Sequence, residues 1–141
     1  LPSNLDAWDG YPAARERLFA MLSAHATNPI SLAGDTHNGW AFNLTNQKGE
    51  AVGVEWGTPG VSSPGLENYV PLPPDEMQAL LKGASPELVA CDTSQRGWTH
   101  VTLTPEAATA QWRFVSSVTE PTYQTSAGEP LVTQRNARKL A

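Results

Sequence analysis

Ile30-Ser31-Leu32-Ala33-Gly34-Asp35-Thr36-His37-Asn38-Gly39-Trp40 is the most informative segment of the chain. Its apolar start predicts a buried strand over 30–33, and Gly34 permits a tight turn because it has no Cβ. Asp35 and His37 would then stand at the strand end, where α/β proteins place their ligand sites. A carboxylate and an imidazole at this spacing can share a metal ion or a proton. The alternative is that Asp35 caps a turn and His37 makes a loop hydrogen bond.

The flanking residues predict a helix before this segment and a β-hairpin after it. The helix should span about 12–26, with a proline in its first turn. Strands 40–45 and 51–56 should form the hairpin. The turn-rich loop 57–65 starts at a strand end, so it could return to the neighbourhood of Asp35. The helix carries one apolar stripe, made of Ala14, Leu18, Met21, Leu22 and His25.

The second half of the chain predicts a short helix and several strands. The helix should span 74–82 and end at Gly83. Residues 119–141 have a weaker pattern and are predicted to be an extended tail, with one strand near Leu131. Helices that alternate with strands indicate an α/β (α+β) layered fold. Three further strands are predicted, over 88–92, 98–104 and 110–116.

The composition limits the classes of protein to consider. The 141 residues suffice for one domain, and with 40% hydrophobic and 16% charged residues the chain should be globular. A net charge of -5 argues against nucleic acid as the main partner. The single cysteine, Cys91, excludes an internal disulfide, and the lack of a long apolar run predicts no membrane span. The chain does not begin with Met, so we expect a processed, truncated or excised part of a longer protein.

The best-specified enzyme motifs do not occur in this sequence: there is no HExxH, Walker A, GxGxxG or CxxC. The segment Gly60-Val61-Ser62-Ser63-Pro64 departs from a nucleophile elbow at its fifth position. His25 lies on the apolar stripe and is predicted to be a partly buried structural histidine. His100 is predicted to pack or to form a hydrogen bond, and Cys91 to be a small buried hydrophobe.

Two further groups allow more than one interpretation. Trp8-Asp9-Gly10-Tyr11 places two aromatic residues around an Asp-Gly turn, which could form a pocket wall or a hydrophobic staple for the first helix. Arg96 lies between Asp92 and Trp98, and its guanidinium would suit an anion such as phosphate. A surface arginine at a turn can equally be solvated.

Together these pieces resemble the C-terminal part of the alkaline phosphatase D family, the PhoD-like metallophosphoesterases. The resemblance covers about residues 6–118 and rests on four motifs in register. The matching segments are Trp8-Asp9-Gly10-Tyr11-Pro12 with the Arg15/Arg17 helix, Leu32-Ala33-Gly34-Asp35-Thr36-His37, Val54-Glu55-Trp56-Gly57-Thr58 with Val61-Ser62-Ser63-Pro64-Gly65, and Asp92 with Arg96-Gly97-Trp98 leading into Val101-Thr102-Leu103-Thr104-Pro105.

The resemblance implies a metal-dependent hydrolase of phosphate mono- or diesters. It also implies a calcineurin-like layered β-sandwich with flanking helices, a metal centre of calcium and iron, and a periplasmic or extracellular location. By carry-over, Asp35 would be a metal ligand, and His37 a ligand or a catalytic contact to the substrate phosphate. Arg96 would be a second catalytic residue. The substrate-binding residues would be Trp8, Asp9 and Tyr11.

The family takes most of its metal ligands from a long N-terminal half that this chain does not contain. We therefore expect residues 1–118 to be the C-terminal portion of a phosphatase domain and 119–141 to be a tail. The missing N-terminal half would be the partner, and this chain alone would be inactive. The rival interpretation is a non-catalytic β-rich binding module, in which Asp35 only shapes a turn. Its aromatic surface would consist of Trp8, Trp40, Trp56 and Trp98.

Overall fold

A computed structural model describes residues 5–141 of the chain as two helices, eight strands and two single 3-10 turns. The helices are α1 (Pro12–His25) and α2 (Pro74–Ala84), and the 3-10 turns are Trp8–Gly10 and Leu66–Asn68. The strands are β1 (Ile30–Ala33), β2 (Gly39–Thr45), β3 (Ala51–Gly57), β4 (Leu88–Asp92), β5 (Arg96–Leu103), β6 (Ala107–Val115), β7 (Thr125–Ala127) and β8 (Leu131–Gln134).

The first sheet has the strand order β1-β3-β2-β4. Strands β2 and β3 form the predicted hairpin, whose loop is closed by the Asn46 carboxamide oxygen accepting from the Lys48 and Glu50 amides. Strand β1 runs parallel to β3, with Ile30 opposite Val54 and Ala33 opposite Gly57. The ends of β1 and β3 therefore lie side by side, and the loops that follow them leave the sheet at the same edge.

The second sheet is built around β6. Strand β5 pairs along one side of β6, whereas β7 and β8 pair with its opposite ends. The alternation predicted for this strand is confirmed, because every second side chain is buried, as expected for a strand with one face on a core. These buried residues are Ala108, Ala110, Trp112 and Phe114.

The two sheets pack face to face and α2 covers the first sheet. Trp56 of β3 and Trp112 of β6 lie in one buried cluster, and the Trp112 indole donates to the Gly57 carbonyl at 3.1 Å. A second cluster joins Met77 and Leu81 of α2 to β4, including the buried Cys91. This arrangement confirms the predicted α/β class with two sheets and flanking helices.

Two element boundaries differ from the prediction. Helix α2 continues through Gly83 to Ala84 instead of ending at the glycine. The predicted strand 98–104 begins earlier, at Arg96, and it belongs to the second sheet whereas β4 belongs to the first. The chain therefore crosses between the sheets within 93–95.

The apolar stripe predicted for α1 does not face the core. Phe19 is the buried residue of this helix, while Met21 is 65% exposed and His25 is also exposed. The prediction that His25 is partly buried is therefore wrong. The physical reason is that α1 lies on the surface beside the hairpin, where the Gln47 amide donates to Glu16 at 3.2 Å.

The segment after residue 118 is joined to both sheets and to α1. Besides β7 and β8, it contributes Leu140 to the buried cluster between the sheets. The Arg138 guanidinium donates to the carbonyls of Ser23, Ala26 and Thr27, at 3.1, 2.7 and 3.1 Å. Arg138 thus caps the C-terminal end of α1, where carbonyl groups have no partner within the helix. The domain division at residue 118 stays a prediction.

Candidate functional site

The turn after β1 has an unusual backbone. Asp35 has a φ of 70° and His37 has a φ of 60°, so two residues with side chains adopt the left-handed region within three positions. This region costs an L-residue about 1–2 kcal/mol. Such conformations persist where the surroundings hold them, and they cluster at functional sites. We call residues 34–38 the strand-end loop.

Side chains of the loop and of β2 hold this conformation. The Trp40 indole donates to the Thr36 hydroxyl at 2.7 Å. The Asn38 carboxamide donates to the Thr36 carbonyl at 2.6 Å and is only 3% exposed. Both bonds close within four residues, so the sequence itself encodes the shape of the loop.

The loop after β3 returns to the strand-end loop, as predicted. The Thr58 amide donates to the Ala33 carbonyl at 2.9 Å, and the Gly60 amide donates to the His37 carbonyl at 3.1 Å. The Gly60 carbonyl in turn accepts from the Gly97 amide at 3.0 Å, which joins both loops to the start of β5. The loops after two parallel strands thus meet at one edge of the sheet, the usual place for ligand sites in such sheets.

His37 is oriented by the backbone of this second loop. Its ring Nδ1 lies 3.0 Å from the carbonyl oxygen of Pro64. Because a carbonyl oxygen can only accept, Nδ1 carries the hydrogen and the neutral ring keeps the lone pair on Nε2. The ring can therefore bind a metal ion or accept a proton at Nε2. Asp35 lies two positions earlier in the same loop, and its side chain is exposed.

The metal-binding capacity of the described residues is limited. Across residues 5–141, no three side chains from His, Cys, Asp and Glu come together as a metal site. The strand-end loop offers one carboxylate, from Asp35, and one imidazole, from His37. A metal site needs three or four protein ligands, so these two donors do not make a complete one.

Arg96 is engaged by an acidic residue that the sequence analysis did not single out. Its guanidinium forms an ion pair with Glu67 and donates to the Gln95 carbonyl at 2.9 Å. Burial lowers the pKa of the Arg96 guanidinium. No local pattern marks Glu67, because the ion pair depends on how two loops meet. The neighbouring Asp92 caps its own turn, since its carboxylate accepts from the amides of Ser94 and Gln95.

The segment Trp8-Asp9-Gly10-Tyr11 forms one wall of a separate pocket. Trp8 and Tyr11 are 51% and 58% exposed, and they line a cavity of about 390 Å³ together with Asp6, Ala7 and Ala14. Asp9 pairs with Arg15 at 3.1 Å. The lining comes from residues 6–14 alone, so the strand-end loop contributes nothing to this pocket. The substrate-binding role of Trp8, Asp9 and Tyr11 stays a prediction.

The remaining candidate residues differ in how far they are buried. Cys91 is buried as predicted, and burial raises the pKa of its thiol. His100 is exposed on β5. Trp56 is buried in the core, so the aromatic surface imagined for a binding module does not include it.

Comparison with known proteins shows the family to which the chain belongs. The family model of PhoD-like phosphatase matches residues 1–112, and the chain therefore belongs to the PhoD-like phosphatase family. Alkaline phosphatase D of Bacillus subtilis (strain 168) is 30% identical over 142 residues, which cover 97% of this chain and 24% of that protein.

A solved structure shows the same relationship in three dimensions. The structure of PhoD superposes with a TM-score of 0.71 at 26% identity, covering 96% of this chain and 26% of that one. The chain thus spans about a quarter of the length of both relatives. In the described range 5–141, neither helix has the length and apolar character needed to cross a lipid bilayer.

Proposed function

We propose that this chain is the C-terminal segment of a metal-dependent phosphatase that hydrolyses phosphate mono- or diesters. In this proposal Asp35 is a metal ligand, and His37 is a ligand or a contact to the substrate phosphate. The observation that carries it is the hydrogen bond between His37 Nδ1 and the Pro64 carbonyl. Histidines that bind metals in proteins donate their other ring N–H in this way, which fixes the ring and the tautomer.

The chemistry of the donor set agrees with this proposal. Calcium and iron ions, the metals suggested by the resemblance, accept carboxylate oxygen, and iron also accepts imidazole nitrogen. Such ions, when bound, lower the pKa of a bound water and neutralise charge on phosphoryl oxygens. The described residues provide Asp35 and His37 but not the other ligands. The proposed partner, an N-terminal part of the same enzyme, would supply them.

The surface of α1 supports a missing partner. Leu18 and Met21 of α1 are exposed apolar residues three positions apart, and the exposed Trp8 and Tyr11 lie just before the helix. An exposed apolar face of this kind usually marks an interaction site. The relatives have about four times the length of this chain, and the rest of such an enzyme is the occupant that we propose. The location in the periplasm or outside the cell belongs to the same proposal.

A chimera tests the function. This chain would replace the matched quarter of Bacillus subtilis alkaline phosphatase D, and hydrolysis of p-nitrophenyl phosphate and bis-p-nitrophenyl phosphate would be measured with the metal content. Asp35→Asn and His37→Gln should each lower kcat/KM by roughly 100-fold or more and reduce the bound metal. His100→Gln is the matched control, because this exposed histidine lies on β5. Full activity and full metal content in both loop variants would contradict the proposal.

The surface proposal has its own test. Met21→Glu in the chimera should impair assembly and activity, because it places a charge on the proposed contact face. In the isolated chain the same substitution should leave the unfolding temperature within a few degrees, since Met21 is exposed there. If Met21→Glu leaves the assembly and activity of the chimera as unaffected as the unfolding temperature of the isolated chain, the α1 face makes no contact.

A further inference from the structure

The turn that carries Pro64 is held on one side by Asn38. The Asn38 carboxamide oxygen accepts from the Leu66 amide at 3.0 Å, while its nitrogen donates to the Thr36 carbonyl. Asn38 is buried, so this bridge is shielded from water. The strand-end loop and residues 64–66 are therefore held at a fixed distance on this side.

Glu67 holds the other side of the same turn. One of its carboxylate oxygens accepts from the Gly65 amide at 3.3 Å and also pairs with the Arg96 guanidinium. The Glu67 amide donates to the Thr93 carbonyl at 3.3 Å. The Glu67 amide is thus bonded to the segment that precedes β5, and the Glu67 carboxylate is bonded to the first residue of β5.

Arg96 is a rigid anchor for this carboxylate. It is the first residue of β5 and stands opposite Val115 of β6. Its side chain is only 10% exposed, and its guanidinium is also fixed by the Gln95 carbonyl. Charge-assisted pairs of this kind are stronger than neutral hydrogen bonds. The second sheet therefore determines where Glu67, and with it Gly65, can lie.

The space around Gly65 shows how closely these groups converge. A Cβ at this position would lie 2.4 Å from the Asn38 carboxamide oxygen and 2.8 Å from a Glu67 carboxylate oxygen. Gly65 is thus enclosed between the side chains of Asn38 and Glu67, and Pro64 is the residue directly before Gly65. The Gly65 amide that donates to Glu67 belongs to the same planar peptide group as the Pro64 carbonyl, so Glu67 bears on the direction of that carbonyl.

We propose that Glu67 is a positioning residue: through its ion pair with Arg96 it holds the Pro64 carbonyl against His37 Nδ1 and keeps Nε2 unprotonated. In this arrangement Arg96 acts through Glu67 and not on a substrate. This inference rests on the proposed function, because it concerns His37. It adds that Glu67 and Arg96 determine which ring nitrogen of His37 carries the hydrogen. Its test requires neither metal nor substrate, so the two proposals can fail separately.

The test is nitrogen-15 NMR of the imidazole rings in the 141-residue chain at about pH 9, where an ordinary imidazole is neutral. Wild-type His37 should show the Nδ1–H tautomer, with the exposed His100 as an internal reference. Glu67→Gln and Arg96→Gln should each cause loss of the Nδ1–H signature at His37 and leave His100 unchanged. Glu120→Gln, which removes an exposed carboxylate elsewhere, is the matched control and should change neither ring.

One folded variant, either Glu67→Gln or Arg96→Gln, is enough for the test. Near-ultraviolet circular dichroism shows which variant is folded. An Nε2–H tautomer at His37 in the wild-type chain would overturn the inference. So would an unchanged Nδ1–H signature in a folded Glu67→Gln or Arg96→Gln protein.

Discussion

The ring nitrogen Nδ1 of His37 and the carbonyl oxygen of Pro64 lie 3.0 Å apart, although 27 residues separate them in the chain. The acceptor is a backbone atom, so a change of the side chain at position 64 does not remove it. The orientation of the imidazole therefore depends on what holds the backbone of this turn. Substitutions in the loops should therefore affect the ring as well as substitutions of the two candidate ligands.

The left-handed backbone at Asp35 predicts different effects on stability for two substitutions. Asp35→Gly relieves the steric cost of the positive φ but gives the unfolded chain more freedom, so the free energy of unfolding should stay within about 0.5 kcal/mol of wild type. Asp35→Val places a β-branched residue there and should cost about 1–2 kcal/mol. Urea unfolding measures both. A stable Val variant would show that the loop relaxes easily. In the chimera, the Gly variant should be folded yet lack the activity.

Two glycines predict contrasting responses to the same added methyl group. Gly65→Ala should lower the free energy of unfolding by about 2 kcal/mol, because the new Cβ would overlap oxygen atoms of Asn38 and Glu67. Gly83→Ala should raise it by about 0.5–1 kcal/mol, because this site lies in the last turn of α2 with open space around it. Thermal unfolding of the two proteins gives the comparison, and equal shifts would contradict it.

The contacts of Arg138 predict that the segment after residue 118 stabilises the chain. Arg138→Ala removes a charged group that donates to three carbonyls at the end of α1, and this should cost about 2 kcal/mol. Lys139→Ala, at an exposed neighbouring position, should change the free energy of unfolding by less than about 0.5 kcal/mol. Hydrogen exchange should show faster opening of the last turn of α1 in the Arg138 variant alone. Similar exchange in both variants would mean that the cap has no energetic role.

The buried Cys91 thiol predicts a loss of stability at alkaline pH. Burial raises the pKa of the thiol above its ordinary value of 9.0, so the unfolded chain releases this proton at a lower pH than the folded one. The free energy of unfolding should therefore fall as the pH rises above about 9. Cys91→Ala should remove this part of the pH dependence, which separates it from other groups that titrate there. Slow labelling of the native thiol by Ellman's reagent at pH 8 is the companion measurement, and rapid labelling would show that the thiol is accessible.

Much of the local structure could be predicted from the sequence, and the reasons are physical. Alternation identified β6, the proline at position 12 marked the start of α1, and the apolar run before Gly34 identified β1. These signals act within a few residues, where steric and hydrogen-bonding preferences are strong. The return of the loop 57–65 to the strand-end loop was also predictable, because it starts at the end of a strand.

The errors arose where distant segments meet. His25 was predicted to be partly buried because it lies on the apolar stripe of α1, but periodicity shows which face is apolar and not what covers that face. The ion pair between Glu67 and Arg96 depends on the crossing between two sheets, which no short motif records. The roles assigned to Asp35, His37 and Arg96 rest on the resemblance and on the local chemistry, and they stay predictions for the experiments above.

The Arg138 cap on α1 also affects the order in which the chain can fold during synthesis. Arg138 follows Ser23 by 115 residues and Ala26 by 112, so α1 leaves the ribosome well before the residue that caps its C-terminal end. Contacts between such distant positions form slowly, because a long loop must close before they contribute. A nascent chain that stops short of Arg138 would therefore carry a frayed C-terminal end of α1, which chaperones and proteases can recognise.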